Sequence, residues 1–280
     1  MPTPTAGGCV IALIVTCWLL LADRELAYIF ALTWTGLGFA ILGGLDDLAP
    51  KGVVLRLFFQ FGFGIIFASL ILDSAMVTIG FLVVIIVIVS TVNIFNFMDG
   101  VDGFAGTQAA LYLVAHIFFF AQNELVSYIL YIAVLLGSVV GFLLLNMRDP
   151  AKIFMGDSGS YFIGFNLAAI SIIGVSEGLS IWVPLILFSP FLTDATLTLA
   201  KRLITRETWW KPHRSHLYQK MVLGGMPPRK VCVKLILLNC LYCWPAAWLA
   251  HRYDQYSVLT VFIVYVSLST IWYHHGKRYA

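Results

Sequence analysis

Stretches of about 20 mostly apolar residues, the length that carries a helix across a bilayer, follow one another along almost the whole chain. Candidate spans lie at roughly 8–22, 26–44, 53–72, 76–97, 105–121, 126–145, 159–175, 180–199, 231–250 and 256–273. In hydrocarbon every backbone N–H and C=O must find its partner inside the protein, and helices are the form that does this within one segment. The expected fold is therefore all-α: a polytopic transmembrane helical bundle of about ten spans, one domain over residues 1–280. Composition agrees, because only 11% of the residues are charged, against about 25% in an ordinary soluble domain.

Residues 1–8 contain no Lys or Arg, so the first apolar run reads as a membrane helix and not as a cleavable signal. The five cysteines mostly fall in apolar runs and read as small buried hydrophobes. Gly137 and Gly141, four apart, read as positions where helices approach closely.

Alternating spans place the connections 45–52, 98–104, 146–158 and 200–230, with the C-terminal tail, on one side. Fifteen of the 17 basic residues lie there, Lys51, Arg56 and Lys211 among them; Arg24 and Arg252 lie opposite. By the positive-inside rule that side is cytoplasmic. Asp46, Asp47, Asp99, Asp102, Asp149 and Asp157 gather on the same side. Acids barely enter the topology rule, so their gathering points to an active site on the cytoplasmic face.

Four constellations carry the chemistry. Asp46 and Asp47 are adjacent carboxylates at a span end; a nearby cation or a shared proton would relieve their repulsion, and a solvated helix cap is the plainer reading. Asn93, Asn96, Asp99 and Asp102 recur every three residues, which on a helix gives one polar face, costly at a membrane edge unless it binds something. The run from Asn146 to Ser160, ending Phe154-Met155-Gly156-Asp157-Ser158-Gly159-Ser160, leads into a span; Asp157 and Ser158 suit a helix cap, a phosphate site or a magnesium ligand. Phe154 offers a face for base stacking or is an interfacial aromatic. Lys211, His213, Arg214, His216 and Lys220 form a basic stretch suited to a diphosphate or to anionic lipid headgroups. No third ligand stands near His213 and His216 to make a zinc site. Asp194, inside an apolar span, is a functional candidate or a partner for Lys201 or Arg202. His116 reads as structural.

Asp46-Asp47, the Asn93–Gly103 run, Phe154–Ser160 and His213–Lys220 occur in one order. Together they resemble the polyprenyl-phosphate N-acetylhexosamine-1-phosphate transferases, over most of the chain, and most of all the branch that initiates bacterial O-antigen or related surface glycans. That family usually has one more span before a Pro-Thr-Pro…Gly-Gly segment, whereas Thr3–Gly8 here stands at the very start. The resemblance implies an inner-membrane enzyme that passes a sugar-1-phosphate from a UDP-N-acetylhexosamine to undecaprenyl phosphate and releases UMP, with magnesium, or manganese in its place, as cofactor. It implies Asp157 and Asn96 for the metal, and Asp46 or Asp47 for the lipid phosphate. Asp99 and Asp102 go to the donor or the metal's surroundings. Asn93, Phe154, His213, Arg214 and His216 go to substrate. Membrane lipids are the surroundings, no nucleic acid is expected, and a homodimer stays open. The sugar is not fixed: GlcNAc, FucNAc, QuiNAc and GalNAc all fit. A transporter would put polar residues in mid-span, whereas here they lie mostly at the cytoplasmic span ends, with Asp194 the partial exception; a CDP-alcohol phosphotransferase would need a different compact acidic run, which is not found.

Overall fold

The computed structural model describes residues 3–22, 28–72, 79–208 and 213–279, and among these the regular structure is entirely helical. Arg24 and Lys211 lie outside the described residues. In chain order the first helices are α1 (Gly7–Leu21), α2 (Ile29–Leu48), α3 (Val53–Ile71), α4 (Ile79–Phe97), α5 (Phe104–Gln122), α6 (Val126–Asn146) and α7 (Gly156–Ser176). They are followed by α8 (Trp182–Leu187), α9 (Ser189–Ile204), the short α10 (Leu217–Leu223), α11 (Pro228–Leu238), α12 (Trp244–Arg252) and α13 (Ser257–Arg278). A π-helical turn, Asn239–Cys243, joins α11 to α12.

Eight stretches among the described residues are long and apolar enough to cross a membrane: α2 to α7, Pro228–Arg252 and Asp254–Arg278. The two other expected spans differ for local reasons. α1 has only 15 residues. The stretch expected at 180–199 is broken into α8 and α9, with Pro190 in the first turn of α9, where a missing N–H costs least.

α7 is the central helix: 89% of its apolar window is buried, against 22% for α3. The outer helices turn Leu13, Phe58, Leu82, Leu130 and Phe262 outward, as a lipid-facing surface requires. Between helices in lipid the hydrophobic effect adds little, so association rests on close packing and buried hydrogen bonds of about 0.6 kcal/mol each. Close packing is concentrated on α7. A Cβ on Gly8 of α1 would lie 2.1 Å from the Gly159 Cα, and one on Gly43 of α2 would lie 2.2 Å from the Asp157 carbonyl oxygen. Gly137 and Gly141 do not play the expected part. Both are exposed on α6 and a Cβ there would meet nothing. Spacing alone could not say which glycine pair faces a neighbour. The cysteines divide similarly: Cys232 and Cys243 are buried, while Cys9 and Cys17 face outward.

The chain connections at one end of the bundle are tied to one another. The Phe154 N–H donates to Pro4 O at 2.8 Å, and the Gly7 and Gly8 N–H groups donate to Phe154 O and Met155 O at 3.0 and 2.9 Å. Residues 4–8 thus brace the entry to α7. Gly103, at φ 79°, begins α5 in a conformation that favours glycine, and its N–H donates to Asn146 Oδ1 at 2.6 Å. Asn146 Nδ2 in turn donates to Ile153 O at 2.8 Å.

Candidate active site

α2, the α4–α5 connection and the start of α7 bring their acids to this end of the bundle. Asp47 is the link. Its Oδ1 accepts the Asp157 N–H at 2.8 Å and its Oδ2 accepts the Ser158 N–H at 3.0 Å. α7 has no side-chain cap of its own at Met155, so a carboxylate from α2 satisfies two of its free amides and meets its positive dipole end. Two sequence readings are corrected here. Asp157 and Ser158 are not the cap of their own helix, and the amides that a phosphate might have met already hold Asp47. Ser158 instead donates its hydroxyl to Ala40 O at 3.0 Å.

Asp46 is buried, 5% exposed, with its carboxyl beside that of Asp157. Its Oδ1 accepts the Lys51 N–H at 2.5 Å and its Oδ2 accepts Arg56 Nη1 at 2.9 Å. Tyr161 donates to the same Oδ2 at 3.4 Å. Adjacent carboxylates therefore have separate partners, and Arg56, read from sequence only as a topology charge, neutralises one of them.

α4 ends at Phe97, so the run from Asn93 to Asp102 is not one helical face. Asn93 Nδ2 donates to Gln60 Oε1 of α3 at 2.6 Å and to Val89 O at 2.7 Å. One turn on, Asn96 Nδ2 donates to Asp157 Oδ1 at 2.8 Å and to Ser160 Oγ at 2.9 Å. Asp99 and Asp102 lie in the connection beyond. Burial and the negative charges of Asp157, Asp102 and Asp47 push the Asp99 carboxyl well above the usual range. Asp102 is raised too, by burial and by Asp149.

The His213–Lys220 stretch reaches the same loop through Tyr218. The Tyr218 hydroxyl donates to Phe97 O at 2.9 Å and accepts the Gly100 N–H at 3.0 Å. Its ring stacks on Phe104 with centroids 4.4 Å apart. His216 lies against Phe97, ring centroids 6.3 Å apart, and His213 lies 5.0 Å from His216. Ser215 hydrogen-bonds His213 Nδ1 at 2.9 Å. Burial, the His216 ring and Arg202 push His213 down to about 4, so it is neutral at ordinary pH. Arg214 is exposed, and Phe154 is 39% exposed at the edge of the site.

Asp194 does not pair with Lys201 or Arg202. It faces α10 and α13, while Arg202 binds Glu207 at 2.8 Å. His116 is fully buried beside Tyr112, as a structural histidine would be. Tyr218, Gln60, Ser160 and Asn146 were not singled out from sequence. Tyr218, Ser160 and Asn146 stood inside the motifs, whereas Gln60 gave no local signal.

The donor set suits a hard cation. It is all oxygen, and Asp99, raised first by burial and then by Asp157, Asp102 and Asp47, is a carboxyl that a nearby cation would help to ionise. Among the described residues no three acid, His or Cys side chains converge as a ready metal cage. Magnesium does not need one, since it binds through one or two carboxylates and keeps water and phosphate oxygens for the rest. Asp157 is held for such a role by Asn96, which donates to its Oδ1 at 2.8 Å.

The model of glycosyl transferase family 4 matches residues 29–175, just over half of the chain and a stretch containing every acid of this cluster. The chain is 25% identical to a probable undecaprenyl-phosphate N-acetylglucosaminyl 1-phosphate transferase of Bacillus subtilis, over 82% of its own length and 68% of that protein's. It is 29% identical to the phospho-N-acetylmuramoyl-pentapeptide-transferase of Halalkalibacterium halodurans, over 88% and 83%. To the corresponding protein of Aquifex aeolicus it is 28% identical, over 85% and 77%.

Proposed function

The chain belongs to glycosyl transferase family 4, and from that premise we propose that it transfers an N-acetylhexosamine-1-phosphate from a UDP-sugar to undecaprenyl phosphate. The lipid phosphate oxygen bonds to the β-phosphorus of the donor, the bond from that phosphorus to the bridging oxygen breaks, and UMP leaves. The reaction takes place at the cytoplasmic face of a bacterial inner membrane and opens the synthesis of an O-antigen or related envelope glycan.

The observation that carries this reading is the meeting of Asp47, Asp99 and Asp157, from the end of α2, the α4–α5 connection and the start of α7, at one end of an otherwise apolar bundle. A diphosphate and a lipid phosphate approaching each other carry several negative charges, so the barrier is electrostatic and positional. Magnesium, when bound, supplies the neutralising charge, with manganese able to replace it. Asp157 and Asp99 would hold it, with Asn96 fixing the Asp157 carboxylate. Asp47 keeps the first turn of α7 in place, and Asp46 stays ionised against Arg56 beside it. Asp102 borders the donor side. His213, Arg214 and His216 meet the diphosphate and Phe154 the base; Asn93, one turn deeper, supports Asn96 through α4.

The test is transfer of radiolabel from a panel of UDP-sugars into butanol-extractable lipid by membranes containing the protein. Label in the lipid phase that depends on undecaprenyl phosphate supports the proposal. No label from any UDP-N-acetylhexosamine removes it.

A further inference from the structure

Asp194 gathers more partners than any other carboxylate among the described residues, and none of them is the cation expected from sequence. From α9 its Oδ1 accepts the Leu217 N–H at 2.9 Å, the Trp272 Nε1–H at 3.0 Å and the Thr198 hydroxyl at 3.1 Å. Its Oδ2 accepts the Tyr218 N–H at 3.3 Å. These donors belong to α9, α10 and α13. The carboxylate is 8% exposed, a depth at which an unsatisfied charge is expensive.

A second feature points at the same group. His216 is 2% exposed, and its Nδ1 has no hydrogen-bond partner. The polar atom it faces is Asp194 Oδ1, at 3.8 Å. At 3.8 Å the carboxylate acts on the ring by its charge and not through a hydrogen bond, favouring a proton on the nitrogen that faces it; in the doubly protonated ring Nε2–H is then the donor free to meet a phosphate oxygen. The residues on both sides of this pair are held as well. Tyr218, whose amide Asp194 binds, reaches Phe97 O and the Gly100 N–H in the acidic connection.

We propose that Asp194 is the positioning residue of the donor site: it fixes the ring of His216 and, through the Tyr218 backbone, the spacing between the basic stretch and the Asp99 loop. Trp272 extends the arrangement to α13, so the last helix takes part in holding a site to which it contributes no reacting group. This inference rests on the transferase reading for its substrate, though not for its geometry.

The test compares Asp194→Ala, Asp194→Asn and Trp272→Phe with the wild-type protein in detergent or nanodiscs. Asp194→Ala is expected to raise the KM for the UDP-sugar and lower kcat, by on the order of 10²-fold together, with the KM for polyprenyl phosphate unchanged. Asp194→Asn, which keeps an acceptor for Leu217 and Trp272, should recover a large part of the loss. Trp272→Phe should fall between it and wild type. Amide exchange at Leu217 and Tyr218 is expected to quicken in Asp194→Ala. Normal kinetics in Asp194→Ala would overturn the proposal, as would equal changes in both KM values tracking a lowered melting temperature. If the wild-type protein transfers from no UDP-sugar, the transferase reading is what fails. The exchange experiment then decides alone: unchanged protection in Asp194→Ala overturns the positioning role, and lost protection upholds it.

Discussion

Asp47 holds Asp157 by its backbone: the carboxylate of one accepts the amide of the other at 2.8 Å, across two helices that are far apart in sequence. Asp157 is therefore placed by the Asp47 cap and not by its own helix alone. The arrangement separates two jobs that adjacent aspartates usually confuse, since Asp46 is spent on Arg56 and Asp47 on α7.

Replacement of Asp47 should show this division. Asp47→Asn keeps an acceptor for one amide and sets an NH2 group against the other. UMP release is expected to fall by about 100-fold or more, equal to about 2.7 kcal/mol at the barrier, while the lost cap costs only about 1 kcal/mol of stability. Rates measured beside thermal melts check it, and near-normal turnover would remove Asp47 from the site.

Asp157→Asn should abolish transfer while leaving membrane insertion intact, and chelation with EDTA should do the same to the wild-type protein. Magnesium or manganese is expected to restore the chelated wild type and to leave the variant silent. Product formation assayed after metal add-back decides between this and a cation-independent reaction.

Asp99 fixes the sign of a pH effect. Its carboxyl is raised in the folded protein by burial and by Asp157, Asp102 and Asp47, so without cation the fold binds a proton that the unfolded chain releases. Stability from this group is full below the ordinary carboxylate range and is lost as pH rises through the raised value. With magnesium present the ionised form is the useful one, and activity should fall on acidification through a window lower than the metal-free one, because the cation favours the carboxylate. Asp99→Asn should flatten both profiles. His213, held down to about 4, should contribute no limb above roughly pH 5. Melting curves and initial rates over a pH series, with and without magnesium, test both parts.

Two glycines make a matched pair of probes. Gly43→Ala puts a methyl 2.2 Å from the Asp157 carbonyl oxygen, which must force α2 from α7 at a cost of about 1–3 kcal/mol and displace Asp157 with it. Gly137→Ala meets nothing and should be neutral or stabilising by up to about 1 kcal/mol. Expression, melting temperature and turnover of the two variants give the comparison.

The membrane fold was legible because the solvent imposes it: apolar runs long enough to span must be helices. The acids were legible as a group because topology gives them no reason to collect at one end. Which oxygen meets which donor was not legible. Asn93 and Asn96 are three apart on one helix, yet one turns to α3 and the other to α7, a difference set by packing angles that sequence spacing does not encode. Asp194 failed for a related reason. Its partners are backbone amides and an indole far along the chain, while the charges close by in sequence drew attention to themselves. The break between α8 and α9 was signalled by Pro190, but proline is common enough in membrane helices that its presence did not locate the break.

α7 meets almost no lipid, and this has a mechanical consequence. A bilayer slightly thicker or thinner than the apolar belt exerts its force on the outermost helices, which can tilt to absorb it. The acidic cluster is anchored to a rod that such stress does not reach directly, so it can keep its geometry while the rim adjusts to the host membrane.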